Sequence, residues 1–376
     1  MLYFLSKTLS PKLILSQNHP FSWISLRFIS TTSKSKDHSF TLSYLINTCG
    51  FSPQRAATIS NNINFKTREK PDSVIEFLMN HGFSQSNALS LIRSDPSLLQ
   101  SSDPNKFFLP KIEFLKSKGF SDSDILTLLI KFPTILKRSL ENEIIPSFDF
   151  FKDMFRSEHK MFKTVMRHSG ILYGLNSCIA PNIKLLREEG IPESHIVQFV
   201  EYYPRSLKVS PERFKETVEE VKKLMFDPLK KRFVVAIHVK RCITGSTWER
   251  KEGIYRRWGW TDDDFRAAFK LHPFCMSMAD SKIEAVMEFL VNKMGFKSTA
   301  IAQHSVLLTL SLEKRIIPRG SVVLALLSKG LVENLNLSPI FKTVENVFLD
   351  KFIYCHEKKE ANELLKLYQA KLALAG

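Results

Sequence analysis

The chain has 376 residues, 44% of them hydrophobic and only 13 of them glycine, so it carries enough apolar material for a large core and is excluded from the disordered class. A formal charge of +16 costs self-repulsion unless an anionic partner offsets it, and nucleic acid is the first partner class to consider. The longest apolar runs, such as Val322 to Leu327, are far short of the ~18–20 residues of a membrane-spanning helix, so no membrane partner is expected.

Residues 1 to 36 contain Lys7, Lys12, Arg27, Lys34 and Lys36, many Ser and Thr, and no acidic side chain before Asp37. That is the composition of an organellar transit peptide. Arg27-Phe28-Ile29-Ser30 is similar to a mitochondrial presequence cleavage site, which favours the mitochondrion, with the chloroplast as the alternative. Removing this segment takes away five positive charges, and the remainder stays strongly basic.

Cys49-Gly50-Phe51-Ser52-Pro53 reads as half a structural unit at the start of an array. A fuller unit follows, with Pro71, Val74, Phe77 and Leu78 before Gly82-Phe83-Ser84, then Ala88, Leu91 and Ile92, then Pro96-Ser97-Leu98-Leu99. Residues 108 to 136 show the pattern best. Pro110 suits the first turn of a helix on which Phe108, Ile112 and Leu115 share one face. Gly119 ends that helix, and Phe120 can fold back over its last turn. Ser121 with Asp124 caps a second helix bearing Ile125, Leu128, Leu129 and Phe132, and Pro133 stops it before the short apolar turn at Ile135 and Leu136.

The same order recurs downstream. Pro146, Phe150, Phe151 and Val165 lead to Gly170-Ile171-Leu172, and Pro181, Ile183, Leu186, Gly190, Ile196 and Phe199 lead to Pro204-Arg205-Ser206-Leu207. The closing positions Pro96, Pro133, Gly170, Pro204, Pro273 and Val306 keep a period in the middle thirties, counting two units between Pro204 and Pro273. The mid-unit glycines Gly82, Gly119, Gly190, Gly259, Gly295 and Gly330 keep the same phase. The unit at about 211 to 243 is the most degenerate, with His238 at the closing position and Asp227-Pro228 where the glycine belongs. The chain therefore divides into a leader, 1–36, an array, 37–340, and capping helices, 341–376, the last marked by Phe348, Phe352, Leu364, Leu365 and Tyr368.

A Pro-started helix, a Gly-apolar turn, a second helix and a P-x-x-L close, repeated about eight times over roughly 40 to 335, resembles the mitochondrial transcription termination factor family, mTERF. Thr247 to Lys251, Tyr255 to Trp260 and Leu312 to Arg319 look like its plant branch. The resemblance implies an all-α solenoid, right- or left-curved into a half-doughnut, in which each repeat gives two α-helices and a short 3₁₀ helix. It also implies binding of nucleic acid in a basic concave groove. The expected roles are transcription termination or regulation on double-stranded DNA, or intron splicing on structured RNA, by a monomer working with organellar transcription or splicing partners. Gly170, His238 and Val306 depart from the closing proline, which bears on the geometry of those three units.

Phosphate binding needs clustered cations. Residues 222 to 257 hold eleven Lys and Arg against Asp227, Glu249 and Glu252. Within them Lys240, Arg241, Arg250, Arg256 and Arg257 are candidate contacts. Arg138, Arg167, Arg205, Lys208, Lys240, Arg241, Lys314 and Arg315 recur near the closing turns, and Arg319 follows. Cations phased with a repeat fall along one edge of a solenoid and can track a phosphate backbone. They can equally neutralise helix carboxyl-terminal dipoles. Trp248, Tyr255, Trp258 and Trp260 could stack on bases, but aromatic residues at helical spacing in this phenylalanine-rich chain favour core roles.

No enzyme, cofactor or metal site is expected. No phosphate-binding glycine loop, HExxH or nucleophile elbow occurs. The five cysteines, Cys49, Cys178, Cys242, Cys275 and Cys355, show no CxxC spacing. His272 and Cys275 lie in a closing turn, and Asp262-Asp263-Asp264 follows Thr261 as a helix cap would. The alternative of another class is a protein-interaction scaffold, since helical solenoids also present faces to proteins. Tetratricopeptide-type arrays are disfavoured, because they lack the separate P-x-x-L piece.

Overall fold

The computed structural model describes residues 34–333 and 336–374, so the expected leader, 1–36, lies almost wholly outside the described residues. Among the described residues every regular element is a helix. After the half unit formed by Lys34–Asn47 and Pro53–Ser60, two-helix units follow one another from Glu69–Asn80 with Gln85–Ser94 as far as Asp280–Met287 with Ser298–Ala302.

Local chemistry fixes the joints. The mid-unit glycines at 82, 119, 190, 259, 295 and 330 all have φ between +69° and +91°, a region closed to most side chains. In the central unit the Phe120 amide returns to the Leu115 carbonyl at 3.2 Å, and Phe120 is buried over it. This is the backbone reversal the Gly-apolar pair predicts. Ser84, Ser121, Ser157 and Thr261 then accept a backbone amide at the start of the second helix, and Ser121–Asp124 and Thr261–Asp264 are reciprocal capping boxes. Each such cap contributes about 1 kcal/mol.

Two units reverse without glycine. Arg156, φ 46°, and Met225, φ 60°, adopt the left-handed conformation at the same joint. In the degenerate unit the reversal therefore falls at Met225 and not at Asp227-Pro228. A second difference concerns the prolines. Pro146, Pro181 and Pro318 stand in the first turn of their α-helices, Ile145–Phe155, Ala180–Glu188 and Ile317–Ser328, but a π turn, at Leu140–Ile144, Leu175–Ile179 and Leu312–Ile316, leads into each of them. Proline has no amide to donate and its ring crowds the carbonyl four residues back, and the wider turn relieves both effects.

Six units close on a 3₁₀ helix: Pro96–Gln100, Pro133–Lys137, Ser169–Leu172, Pro204–Leu207, Pro273–Ser277 and Ser305–Thr309. Gly170 and Val306 thus keep the turn without its proline. His238 does not, because Lys231–Cys242 continues as an α-helix through the closing position. Its imidazole instead stacks on Tyr203 at 4.0 Å and hydrogen-bonds Ser206 at 2.9 Å, so this helix takes the missing turn's place between the turns at 204–207 and 273–277.

The closing segments form one ridge along the array. Lys137 joins Asp95 at 2.7 Å and Ser97 at 3.0 Å, Tyr173 meets Thr134, Thr309 meets His272, and Lys342 meets His304. Beneath the ridge, Ile112, Leu115, Ile125, Leu128, Leu129, Ile135 and Leu136 of the central unit are all buried, each such side chain contributing roughly 1.5–3 kcal/mol. At the far end Lys358–Ala373 packs on Ile317–Ser328 through Leu364 and Tyr368 and covers the last apolar face. The helical segment Ser338–Lys342 spans the expected 340/341 boundary.

Candidate nucleic-acid interface

The basic residues separate into three groups according to what neutralises them. The first group is structural. Arg319 is 2% exposed, and its guanidinium donates to the carbonyls of Ile340 at 3.1 Å and Thr343 at 2.8 Å. Arg315 donates to the carbonyls of Phe341, at 2.8 Å, and Thr343. Both are candidates for phosphate contact from the sequence; burial against backbone acceptors removes Arg319 from that role, and Arg315 commits two of its five N–H donors to carbonyls.

The same device recurs in the array. Asn182 donates to the Leu207 and Val209 carbonyls at 2.9 Å, Lys251 to the Met278 carbonyl and Lys282 to the Thr309 carbonyl at 3.1 Å. In each case a polar residue on a unit's first helix holds the exit of that unit's closing turn. In the sequence Lys251 counts only within the basic stretch 222 to 257, and Asn182 is not singled out. The available signal was register, since Lys111, Asn182 and Lys251 all stand eight residues before a mid-unit glycine and all three are buried.

The second group is paired with carboxylates. Arg250 contacts Asp280, Arg256 lies 2.8 Å from Asp262, Arg257 2.6 Å from Glu284, and Lys240 2.9 Å from Glu220 while also resting on the Trp248 ring at 4.0 Å. Lys222 bridges Glu189 and Glu219. With Lys251, which also reaches Asp280, six of the eleven cations of the densest basic stretch are therefore paired with carboxylates. Its aromatic residues are also engaged. Trp260 is buried and stacked on Tyr255, whose hydroxyl donates to the Cys275 carbonyl, and the Trp248 and Trp258 indoles donate to Glu252 and Glu284. Cys275 is fully buried beside them, and desolvation pushes its thiol up to about 12, which suits a core role.

The third group lies on the ridge. Arg138 and Lys208 sit over opposite sides of one unit on the same ring, Tyr173, at 4.5 and 3.5 Å from its centre. Arg205 is exposed one turn away, with no carboxylate partner among the described residues. Arg241 is half-buried and lines a cleft of about 690 Å³ together with exposed Arg213. Burial, and then the Arg213 charge, lower the Arg241 pKa. The Lys208 and Arg205 charges reach His168, which burial first and those charges second hold down to about 4. Arg232 acts in the same sense on His272, after burial. Among these cations only Arg138 meets an acid, Glu143 at 3.7 Å, an exposed pair of little energetic weight.

Arg167 and Lys314 stand apart. Arg167 is exposed, donates to the Glu201 carbonyl and lies over Tyr202, and exposed Lys314 sits in the π turn before Pro318. The structure thus brings Arg138, Arg205, Lys208 and Arg241 together along the closing turns and adds Arg213 and Arg232, which phase alone did not single out. Tyr173, the ring that orders two of these cations, was missed as well.

No helix of the described residues is long and apolar enough to cross a membrane, and no group of His, Cys, Asp and Glu among them could hold a metal ion. No curated protein gives a significant match to the chain. A comparison with family models matches residues 30–236 and 246–349 to mTERF. The break between the two matched stretches falls on the end of the helix that replaces a closing turn, so the departure seen in the fold is also where the family pattern lapses. With most of its length matched, the chain belongs to the mTERF family, whose members are nucleic-acid-binding regulators of organellar gene expression.

Proposed function

We propose that this protein binds double-stranded DNA in the mitochondrion through the ridge of closing turns and regulates or terminates transcription there. The observation that carries the reading is the run of Arg138, Lys208, Arg205, Arg241, Arg213 and Arg232 on or beside that ridge, of which only Arg138 forms an ion pair among the described residues, whereas Lys222, Lys240, Arg250, Arg256 and Arg257 of the dense stretch are each paired with a carboxylate. Cations without an internal counter-charge gain most by displacing condensed counterions from a phosphate backbone. The leader composition supports the mitochondrial assignment, with the chloroplast as the alternative.

The test is binding of the full chain to matched duplex DNA, single-stranded RNA and structured intron RNA across a salt series. Six backbone contacts give a slope of log K against log salt of about −5 on duplex DNA. A slope near zero on every ligand would refute the reading in favour of a protein scaffold. One observation favours RNA as the second reading. Tyr203, His238 and Phe274 are only half-buried and lie together on the ridge, where unpaired bases could stack. Tighter binding of structured RNA than of duplex DNA moves the role to intron splicing.

A further inference from the structure

The ridge cations are not equivalent, and the difference centres on a residue that breaks the repeat. Gly170 occupies the closing position held by proline at 96, 133, 204 and 273. Its backbone does not require glycine, since it is absent from the residues with positive φ. Space requires it instead. A Cβ at 170 would lie 2.7 Å from His168 Nε2 and 3.2 Å from Lys208 Nζ. The missing side chain leaves room for an ammonium group that arrives from the following unit.

That ammonium is unusually placed. Lys208 is half-buried, its Nζ lies 3.5 Å from the centre of the Tyr173 ring, and the Arg138 guanidinium takes the ring at 4.5 Å. The Tyr173 hydroxyl lies 3.4 Å from Thr134 Oγ1, which ties the ring to the preceding unit. Apart from Tyr173 and Cys178, the charge acting on Lys208 is the cation Arg138, and desolvation lowers its pKa. Arg205 supplies a further positive charge next to His168. Three cations converge here, and among the described residues only Arg138 forms an ion pair, with Glu143 at 3.7 Å. A ring face compensates a half-buried ammonium only partly, and an oxyanion would complete the compensation.

We propose that the junction of the turns at Ser169–Leu172 and Pro204–Leu207 is a discrete oxyanion site for one backbone phosphate, held by Lys208, Arg205 and Arg138, oriented by Tyr173 and opened by Gly170. The proposal deepens the nucleic-acid reading and rests on it for the polymer, while the oxyanion chemistry itself can be probed separately. It also assigns a purpose to the departure at 170, because proline there would fill the space the ammonium occupies.

The test compares the full wild-type chain with Gly170→Ala and Lys208→Gln, using duplex DNA or structured RNA as one probe and inorganic pyrophosphate as the other. Alanine suits the turn's backbone, so Gly170→Ala should fold and displace only the His168 ring and the Lys208 ammonium. Both variants should bind the polymer about tenfold more weakly near 0.1 M salt and flatten the salt slope by about one, while Arg256→Ala should change neither by more than about twofold. Millimolar pyrophosphate should raise the melting temperature of the wild type and not of either variant. Polymer binding unchanged in both folded variants overturns the site and leaves the general reading intact. Pyrophosphate stabilisation lost in the variants, without polymer binding by the wild type, sustains the oxyanion site and overturns the polymer reading.

Discussion

The stretch 222 to 257 and the ridge around Tyr173 make opposite uses of positive charge. The first has the higher density of Lys and Arg in the sequence, yet Glu189, Glu219, Glu220, Asp262, Asp280 and Glu284 pair with Lys222, Lys240, Arg250, Lys251, Arg256 and Arg257, six of its eleven cations. The second is sparse in sequence, since its cations come from closing turns more than thirty residues apart, yet it collects Arg138, Lys208 and Arg205 with one weak acid contact. Charge counted along a chain is not charge available to a ligand. What decides is whether the folded neighbours supply the counter-charge first.

Substitutions in each region test this contrast. The largest effect on stability is expected at the cation that belongs to neither region. Arg319→Ala strands buried carbonyls and should cost about 3 kcal/mol, seen as a lower denaturation midpoint, with the salt slope of nucleic-acid binding unchanged. Should the variant bind more weakly while fully folded, Arg319 belongs to the interface after all.

Between the two regions, the ridge pair Arg138→Ala with Arg205→Ala should flatten the slope of log K against log salt by about two. The pair Arg256→Ala with Arg257→Ala, from the dense stretch, should flatten it by less than one. Equal effects would show that the ion pairs to Asp262 and Glu284 open on binding and that sequence density was the better guide.

The ridge should also register in pH. His168 and His238 are held near 4 in the fold, the first by burial and then by Lys208 and Arg205, the second by burial, against about 6.5 when unfolded. Between those values the unfolded chain binds more protons than the folded one, so stability falls as pH drops from about 6.5 towards 4 and is unaffected above. His238→Asn should reduce this acid sensitivity relative to wild type in melts between pH 7 and 4.5. An identical pH dependence would place the proton uptake elsewhere.

The smallest expected effect lies in the units without a mid-unit glycine. Met225→Gly should stabilise by about 1 kcal/mol, because a left-handed non-glycine residue is strained there. No gain, or a loss, would mean that the Met225 side chain contributes to binding or packing despite its exposure.

Much of the architecture was legible because its signals are local. Gly119 and Phe120 specify a backbone reversal, Ser121 and Asp124 a helix start, and Pro133 a stop, each through interactions spanning only a few residues. The period then followed from repetition. The prolines at 146, 181 and 318 marked the first α turn but not the π turn that leads into it, since proline constrains its own φ and amide and not how the preceding turn is wound. The site was less legible. Arg138, Arg205, Lys208 and Arg241 carried a phase that the fold turned into proximity, whereas Arg315 and Arg319 carried a similar position and were drawn inward by carbonyls at Ile340, Phe341 and Thr343.

The helical units, their joints and their family are written in the sequence alone, because capping, chain reversal and apolar periodicity act within one unit's length. Which cations remain available was settled only by tertiary structure. Pairing depends on acids from other helices, and the space for Lys208 depends on a glycine thirty-eight residues earlier that packs beside it only after the units stack.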